Sequence, residues 1–467
     1  LREIGDERKM CYQILALGQL YARLDQFYFD IFVDWRGRFY ARGEYLNYQG
    51  HKAGLALLLF KERSHMTAHG LRHFLCYGAR MVNSSGSTTS HLLEWVETHR
   101  DSISALSPKL IASAQNPPLF VAFCLEYAKA FQQEKPCFYV TGFPVLSDCS
   151  CNGLQHLSAM VCSLSTGSSV NLNPKLVRDD IYGLMATFIK NKLQLGIPLE
   201  RENVKKVIMC VPYNVSKYAA GDYFISTYEY DSPSNTYYHK SRPEVRLSYK
   251  SMYEISQQVY TMFYVLNPDI KDVVTYFQSM ASFLGRLNLP MVWVTPHGLV
   301  IKQKYPVYEK IRYKSIYNKR NITLNIATNV INRKKQANAF MPNVVHSMDG
   351  ANLALTVLAL GTSGVKNIFT IHDCFAGRPV DVEAIQGAVR KAFVELYLHR
   401  DFIKKIHARC LDQLTDLPVD RYQIVYSDGD YVTVLDKETG EKLECPKMPV
   451  LGQLDISQII NAEHMIR

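Results

Sequence analysis

The sequence is short of several things, and each shortage excludes a class of protein. No run of eighteen apolar residues occurs, so no segment reads as a membrane-crossing helix and no membrane partner is expected. The eleven cysteines include no Cys-x-x-Cys pair. Cys149 and Cys151 stand closest together and have no matching His/Cys pair, which argues against zinc and for unpaired thiols in a reducing compartment. Acidic residues nearly vanish between positions 301 and 335, where Glu309 faces ten lysines and arginines. The formal net charge is +10, so that stretch carries nearly the whole excess. Tyr305, Tyr308, Tyr313 and Tyr317 are interleaved with it, which suits a surface that neutralises phosphates and offers rings for stacking. A solvated basic face is the alternative. At 467 residues the chain exceeds one simple core, so two or three subdomains are expected. It opens at Leu1 inside a helix-like stretch and reads as a piece of a longer chain, so the lack of a targeting segment carries no information.

The stretch around which the chain is organised is CFYVTGFPVLSDCSCNGLQHLSAM, residues 137–160. Its apolar run stops at one carboxylate, Asp148, before a segment with helical spacing. A short buried strand ending in a turn holds such a carboxylate at a sheet edge. Strands also end in Asp simply because Asp favours turns, so the other stretches decide.

Residues 7–25 have the spacing of an amphipathic helix. Residues 29–50 alternate and are aromatic, as strands are, with DWRGR at the turn, where Arg36 and Arg38 suit phosphates and Gly37 permits a close backbone approach. Helices near 68–81, 90–113 and 119–132 look like scaffold, interrupted at 83–87 and 116–118, and another is expected over 179–195. Residues 201–213, RENVKKVIMCVPY, form a helix with two faces. Val204, Val207, Ile208 and Val211 cluster on one, and Arg201, Lys205, Met209 and Tyr213 drift along its neighbour. Arg201 and Lys205, one turn apart, can hold a triphosphate together, and Pro212 ends or kinks the helix at Tyr213.

Residues 222–243 are polar and Tyr-rich, the composition of an exposed insertion. Helices follow near 246–265 and 268–284, and then a hairpin over 291–302 that turns at Pro296-His297-Gly298. PNVVHSMDG precedes a long helix with His346 near its start, where a cap or core role is the plain reading. A second apolar strand, VKNIFTIHDCF, ends in His372-Asp373, and residues 421–445 resemble a small meander with turns at Asp428-Gly429 and Thr439-Gly440.

Two apolar strands thus each end in an Asp, with a cationic helix between them in sequence. Two carboxylates on adjacent strand ends can bridge a pair of Mg²⁺ ions, one serving a hydroxyl nucleophile and the other the triphosphate. Six motifs in order across about 340 residues resemble the phage-type single-subunit DNA-directed RNA polymerases, the family that also transcribes mitochondrial and plastid genomes. They are DWRGR, SDCSCNGLQHLSAM, R-x3-K-x7-Y at Arg201, Lys205 and Tyr213, WVTPHG, PNVVHSMDG and IHDCF.

The resemblance implies a helix-rich α+β chain with the right-hand polymerase fold, its palm a small antiparallel sheet, and with the thumb and N-terminal domain largely missing. It divides the chain into an end-of-thumb helix (1–26), a first part of the palm (27–178), fingers (179–345), and a second part of the palm with the C-terminal meander (346–467). It implies that Asp148 and Asp373, with the backbone carbonyl of Cys149, bind Mg²⁺. Arg201 and Lys205 would hold the triphosphate, Tyr213 would face the incoming ribose, His346 would lie near its 2′-hydroxyl, His372 beside the growing 3′ end, and Arg36 and Arg38 on the template–RNA hybrid. The implied partners are a DNA template, nascent RNA, ribonucleoside triphosphates and accessory transcription factors, and the implied location is the mitochondrion.

A DNA polymerase of the same superfamily is the competing enzyme. That relative carries a glutamate where this chain has Gly153, and a hydrogen side chain leaves room for a ribose hydroxyl. A catalytically inactive, nucleic-acid-binding remnant is the competing non-enzyme. The chain departs from the family pattern at Cys149 and Asn214, where Gly is usual, and a promoter-reading hairpin expected just before Trp293 has only residues 284–290 available.

Overall fold

The computed structural model describes residues 2–82, 88–193, 199–317, 319–427 and 431–467. The interruption expected at 83–87 and the turn expected at Asp428-Gly429 lie outside the described residues. The fold is α+β and helix-rich, with small antiparallel sheets.

The sheet that matters most has three strands in the order Ile368–Ile371, Cys374–Gly377, Val145–Asp148. Ile371 pairs with Cys374, so His372 and Asp373 alone make the turn. So tight a hairpin requires a residue at positive φ, and His372 supplies it at 58°. Cys374 in turn pairs with Asp148, which sets Asp373 next to Asp148 across the strands. The carboxyl-terminal segment runs along the other side of this strand: the Asp148 N–H donates to the Arg467 carbonyl at 2.9 Å, the Arg467 N–H to that of Asp148 at 3.2 Å.

Helix Arg333–Thr362 is the longest element and packs on this region. Its mean hydropathy over one eighteen-residue window is 1.3, enough in length and composition to cross a membrane, but 61% of that window is buried inside the protein. It behaves as a core helix, and the expected boundary at 345/346 falls inside it. At Gly350 it meets the turn between strands Ile31–Val33 and Phe39–Ala41. A Cβ on Gly350 would lie 2.4 Å from the Gly37 carbonyl oxygen, so the two backbones touch. Gly37 itself has φ 93°, and its expected role in a close approach is realised here.

Two main hydrophobic clusters carry the fold. One gathers helices Ala68–Arg80 and Pro117–Phe131 around Phe74, Phe120 and Phe123. The other joins helices Asn152–Met160, Arg201–Cys210, Pro268–Arg286 and Arg333–Thr362 to the carboxyl-terminal strands. The helix at 201 starts with a reciprocal cap between Glu200 and Asn203, and all four valine and isoleucine positions expected to face inward are fully buried.

Three expectations are corrected. The helix expected over 90–113 is three, Thr89–Thr98, Arg100–Ser104 and Pro108–Ser113, because Leu106 takes φ 50° and Pro108 restarts the chain as a helix N-terminus. Within 222–243, strands Glu229–Asp231 and Thr236–His239 pair with each other and with Arg242–Leu247. The segment is largely exposed, as its composition suggests, but its tyrosine-rich strands form a small sheet. Residues 284–290 finish a helix and turn into strand Met291–Val294. The long hairpin comes later, in the basic stretch, where Pro306–Lys314 pairs with Asn321–Ile331 as a two-stranded ribbon exposed along nearly its whole length.

Gly350→Ala is expected to cost about 1–3 kcal/mol, since backbone atoms cannot move aside as a side chain would. Urea denaturation measures this, and an unchanged midpoint would show that the 34–38 turn is not seated on the helix.

Candidate active site

Asp148 and Asp373 are brought together as the two strand ends suggested. Asp373 is partly buried, and its carboxyl is held well above the usual range, first by burial, then by the charges of Asp148 and Asp349. The Asp148 side chain opens on the cleft and is exposed. Protein still surrounds it closely enough to push its carboxyl up to about 6, against the Cys149 N–H and the charges of Lys205, Lys52 and Arg467, which draw it down. A buried carboxyl raised further by a neighbouring carboxylate marks a site that lacks positive charge.

Whether this set fits a divalent metal follows from its donors. Among the described residues no group of three His, Cys, Asp or Glu side chains gathers. Mg²⁺ does not need one, since it is commonly held by one or two carboxylates, with phosphate oxygens and water completing the shell. Cys149 faces Ile466 between hydrogen-bonded neighbours, which turns its carbonyl away from that strand and leaves it available as a ligand. The set therefore fits Mg²⁺.

A third carboxylate, Asp349, was not singled out from the sequence, although PNVVHSMDG contains it. It is 3% exposed and pairs with Arg38 through Nε at 2.8 Å and NH2 at 2.7 Å. Asn152, the first residue of helix Asn152–Met160, donates to its other oxygen at 3.0 Å. Asp349 is thus occupied as a brace between the 34–38 turn and the helix that carries Gly153, itself buried.

Asp34 is the other residue the sequence reading passed over. Its carboxylate accepts from the backbone N–H groups of Arg36 and Arg38 at 2.9 and 3.0 Å, and from Arg36 Nε and NH2 at 2.9 and 2.6 Å. Arg36 then reaches His346, with 2.8 Å between NH1 and Nδ1. A guanidinium only donates, so Nδ1 must accept and the ring proton sits on Nε2. Burial and the charges of Arg38, Arg36 and His372 hold the His346 imidazole down to about 3, so it is neutral at physiological pH. Both arginines expected on a nucleic-acid backbone therefore also serve internal partners.

The rings gather in the same place. Tyr213 and His346 lie 5.1 Å apart between centroids, and Tyr40 meets His372 edge-on at 5.1 Å. Tyr213 ends a 3-10 turn after the cationic helix, where the expected break occurs, and Asn214 follows in the left-handed conformation at φ 55°. Arg201 is paired with Asp180 at 2.7 Å and with Glu202 at 2.8 Å, and lies over the Tyr182 ring. Lys205, one turn later, faces Asp148 closely enough to lower its proton affinity. Contacts and charges thus link Asp148, Asp373, Lys205, Arg36, Arg38, Tyr213, His346 and His372, while Gly153 is buried in helix Asn152–Met160.

Residues 64–467 match the family model described as DNA-dependent RNA polymerase, and the chain belongs to that family. It is 30% identical to a probable DNA-directed RNA polymerase of Neurospora crassa over 84% of this chain and 47% of that one. It is 27% identical to the mitochondrial DNA-directed RNA polymerase of Mus musculus over 99% of this chain and 38% of that one. With the DNA-directed RNA polymerase of Pseudomonas phage phiKMV the identity is 27%, over 79% of this chain and 48% of that one. The chain spans about half the length, or less, of these relatives.

Nitrogen-15 NMR of the histidine rings is expected to show His346 neutral, with its proton on Nε2, from about pH 5 to about pH 8. In Arg36→Ala the Nε2 preference should be lost and the ring should titrate at higher pH. An Nδ1 proton in the wild type would contradict the assignment.

Proposed function

We propose that this chain is the catalytic part of a DNA-directed RNA polymerase, which adds ribonucleotides to an RNA 3′ end under the direction of a DNA template. The observation that carries the reading is the Asp148–Asp373 pair beside the Arg201–Lys205 face of a helix. In the reaction the 3′-hydroxyl gives its proton to solvent, its oxygen bonds to the α-phosphorus, the bond from that phosphorus to the bridging oxygen breaks, and pyrophosphate leaves with the electron pair. Mg²⁺ bound at the carboxylate pair would supply charge stabilisation for the attacking and leaving oxygens.

The protein's own groups do the rest. Lys205 and Arg201 offset charge that builds on the triphosphate. His346 presents Nε2–H as a donor, which suits the 2′-hydroxyl oxygen of the incoming ribose, and Tyr213 stacks beside it. Gly153 leaves that hydroxyl space, which favours ribonucleotides over the deoxynucleotide reading. His372 lies by the primer end, while Arg36 and Arg38 order the turn that faces the hybrid. The exposed basic ribbon, with its tyrosines, suits a nucleic-acid backbone.

In this reading residues 1–26 end a thumb, 27–178 and 346–467 make the palm with its three-stranded sheet, and 179–345 make the fingers. Sequence is chosen by base pairing between template and nucleotide, and accessory factors act outside this chain. The mitochondrial relatives support a mitochondrial location.

Primer extension on an RNA–DNA scaffold with Mg²⁺ tests the reading. Ribonucleotides are expected to be incorporated, with loss in Asp373→Asn. Gly153→Glu should move the preference toward deoxynucleotides. Since Asp148 must be ionised to bind the metal, the Mg²⁺ concentration needed for half-maximal extension should rise as the pH drops through about 6. Tight scaffold binding without extension, also in a form lengthened upstream, would identify a binding remnant instead.

A further inference from the structure

Asn214 follows Tyr213 in the left-handed conformation, and both ends of its side-chain amide are engaged. Nδ2 donates to the Asn338 carbonyl at 3.1 Å, and Oδ1 accepts from Gln278 Nε2 at 2.5 Å. Asn338 belongs to helix Arg333–Thr362 and Gln278 to helix Pro268–Arg286. One amide therefore joins the end of the cationic helix to two others. A carboxylate of the same shape would have no donor for the Asn338 carbonyl.

That carbonyl is available for a reason written in the sequence. In a helix it would accept from the N–H four residues further on, but that residue is Pro342, which has none. The proline leaves an acceptor on the helix, and Asn214 occupies it. His346 stands eight residues beyond Asn338 on the same helix, about two turns. The two rings that meet at 5.1 Å, Tyr213 and His346, are thus carried by segments that Asn214 ties together.

The way the chain is held changes at this point. Ahead of Tyr213 the helix is fixed by apolar packing, with Val204, Val207, Ile208 and Val211 fully buried. From Asn214 onward polar contacts take over, and the Tyr260 hydroxyl donates to the Val215 carbonyl at 3.2 Å. The bridge is made in the walls of two cavities. Asn214 and Asn338 line one of about 490 Å³ together with Tyr213, while Gln278 and Asn338 line another of about 550 Å³.

We propose that Asn214 is a positioning residue: bridged to Asn338 and Gln278, it holds the Tyr213 ring against His346 and thereby sets how well the site accepts a ribonucleotide. The backbone asks only for a residue that tolerates the left-handed region, as glycine and aspartate also do. The bridge asks for the amide. That the positioning acts on a ribonucleotide rests on the polymerase reading; the hold on Tyr213 does not.

Asn214→Gly and Asn214→Asp test this in the whole chain, since both suit the backbone conformation and neither can donate to the Asn338 carbonyl. With tyrosine and histidine rings labelled for NMR, the wild type is expected to show a nuclear Overhauser contact between Tyr213 and His346, and both variants to lose it. In primer extension on an RNA–DNA scaffold both should raise KM for ribonucleotides about fivefold, the order of one lost hydrogen bond. Their kcat should change by less than about twofold, whereas damage to the fold would lower kcat through the active fraction and leave KM alone. Gln278→Met removes the other arm and should raise KM in the same direction, by less. An unchanged ring contact in both Asn214 variants, or a fall in kcat at constant KM, overturns the proposal. If the wild type extends RNA while ring contact and KM ignore Asn214, the positioning role falls and the polymerase reading stands. If the variants lose the ring contact and the wild type extends nothing, even when lengthened upstream, the reverse holds.

Discussion

Two carboxylates are held side by side at the ends of paired strands, and much of the structure serves to keep them there. Their repulsion and partial burial work against folding, so the arrangement has to be imposed by backbone geometry. The two-residue turn at His372 and Asp373, closed by the Ile371–Cys374 and Cys374–Asp148 pairings, does this from one side. The carboxyl-terminal segment does it from the other by bonding to the Asp148 backbone. A left-handed histidine in that turn is a local cost accepted for placement.

Positive charge is arranged around the pair in layers. Lys205 and Lys52 lower the proton affinity of Asp148 from a distance. Arg38 is committed to Asp349, so that the third carboxylate of the region is neutralised by an ion pair and leaves the first two exposed to whatever cation binds. Arg36, committed to Asp34 through Nε and NH2, fixes the His346 tautomer through NH1. The 34–38 turn is thus an orienting device as much as a contact surface, and the backbone contact between Gly37 and Gly350 seats it on the long helix.

Much of this was legible in the residues. Strand ends at Asp148 and Asp373, the two-faced helix at 201, the break at Pro212 and the hairpin at 291–302 all show in local pattern, because each depends on period or on turn chemistry. Asp349 was missed for a physical reason: its partner Arg38 lies more than three hundred positions away, and no spacing rule reports such a pair. Asp34 bonds within its own turn, so its signal was local, an Asp two residues before Arg36, and was read only as turn chemistry. The sheet in 222–243 escaped because polar, exposed strands lack the alternation that marks a half-buried one. The ribbon at 306–331 was visible only as charge.

The most direct test of the central claim is anomalous diffraction from crystals of the chain bound to a primed RNA–DNA scaffold, a non-reactive ribonucleotide analogue and Mn²⁺. The account predicts manganese peaks between the carboxylates of Asp148 and Asp373, with the analogue's phosphates toward Arg201 and Lys205. Manganese at Asp349, or none at the pair with the analogue in place, would contradict it.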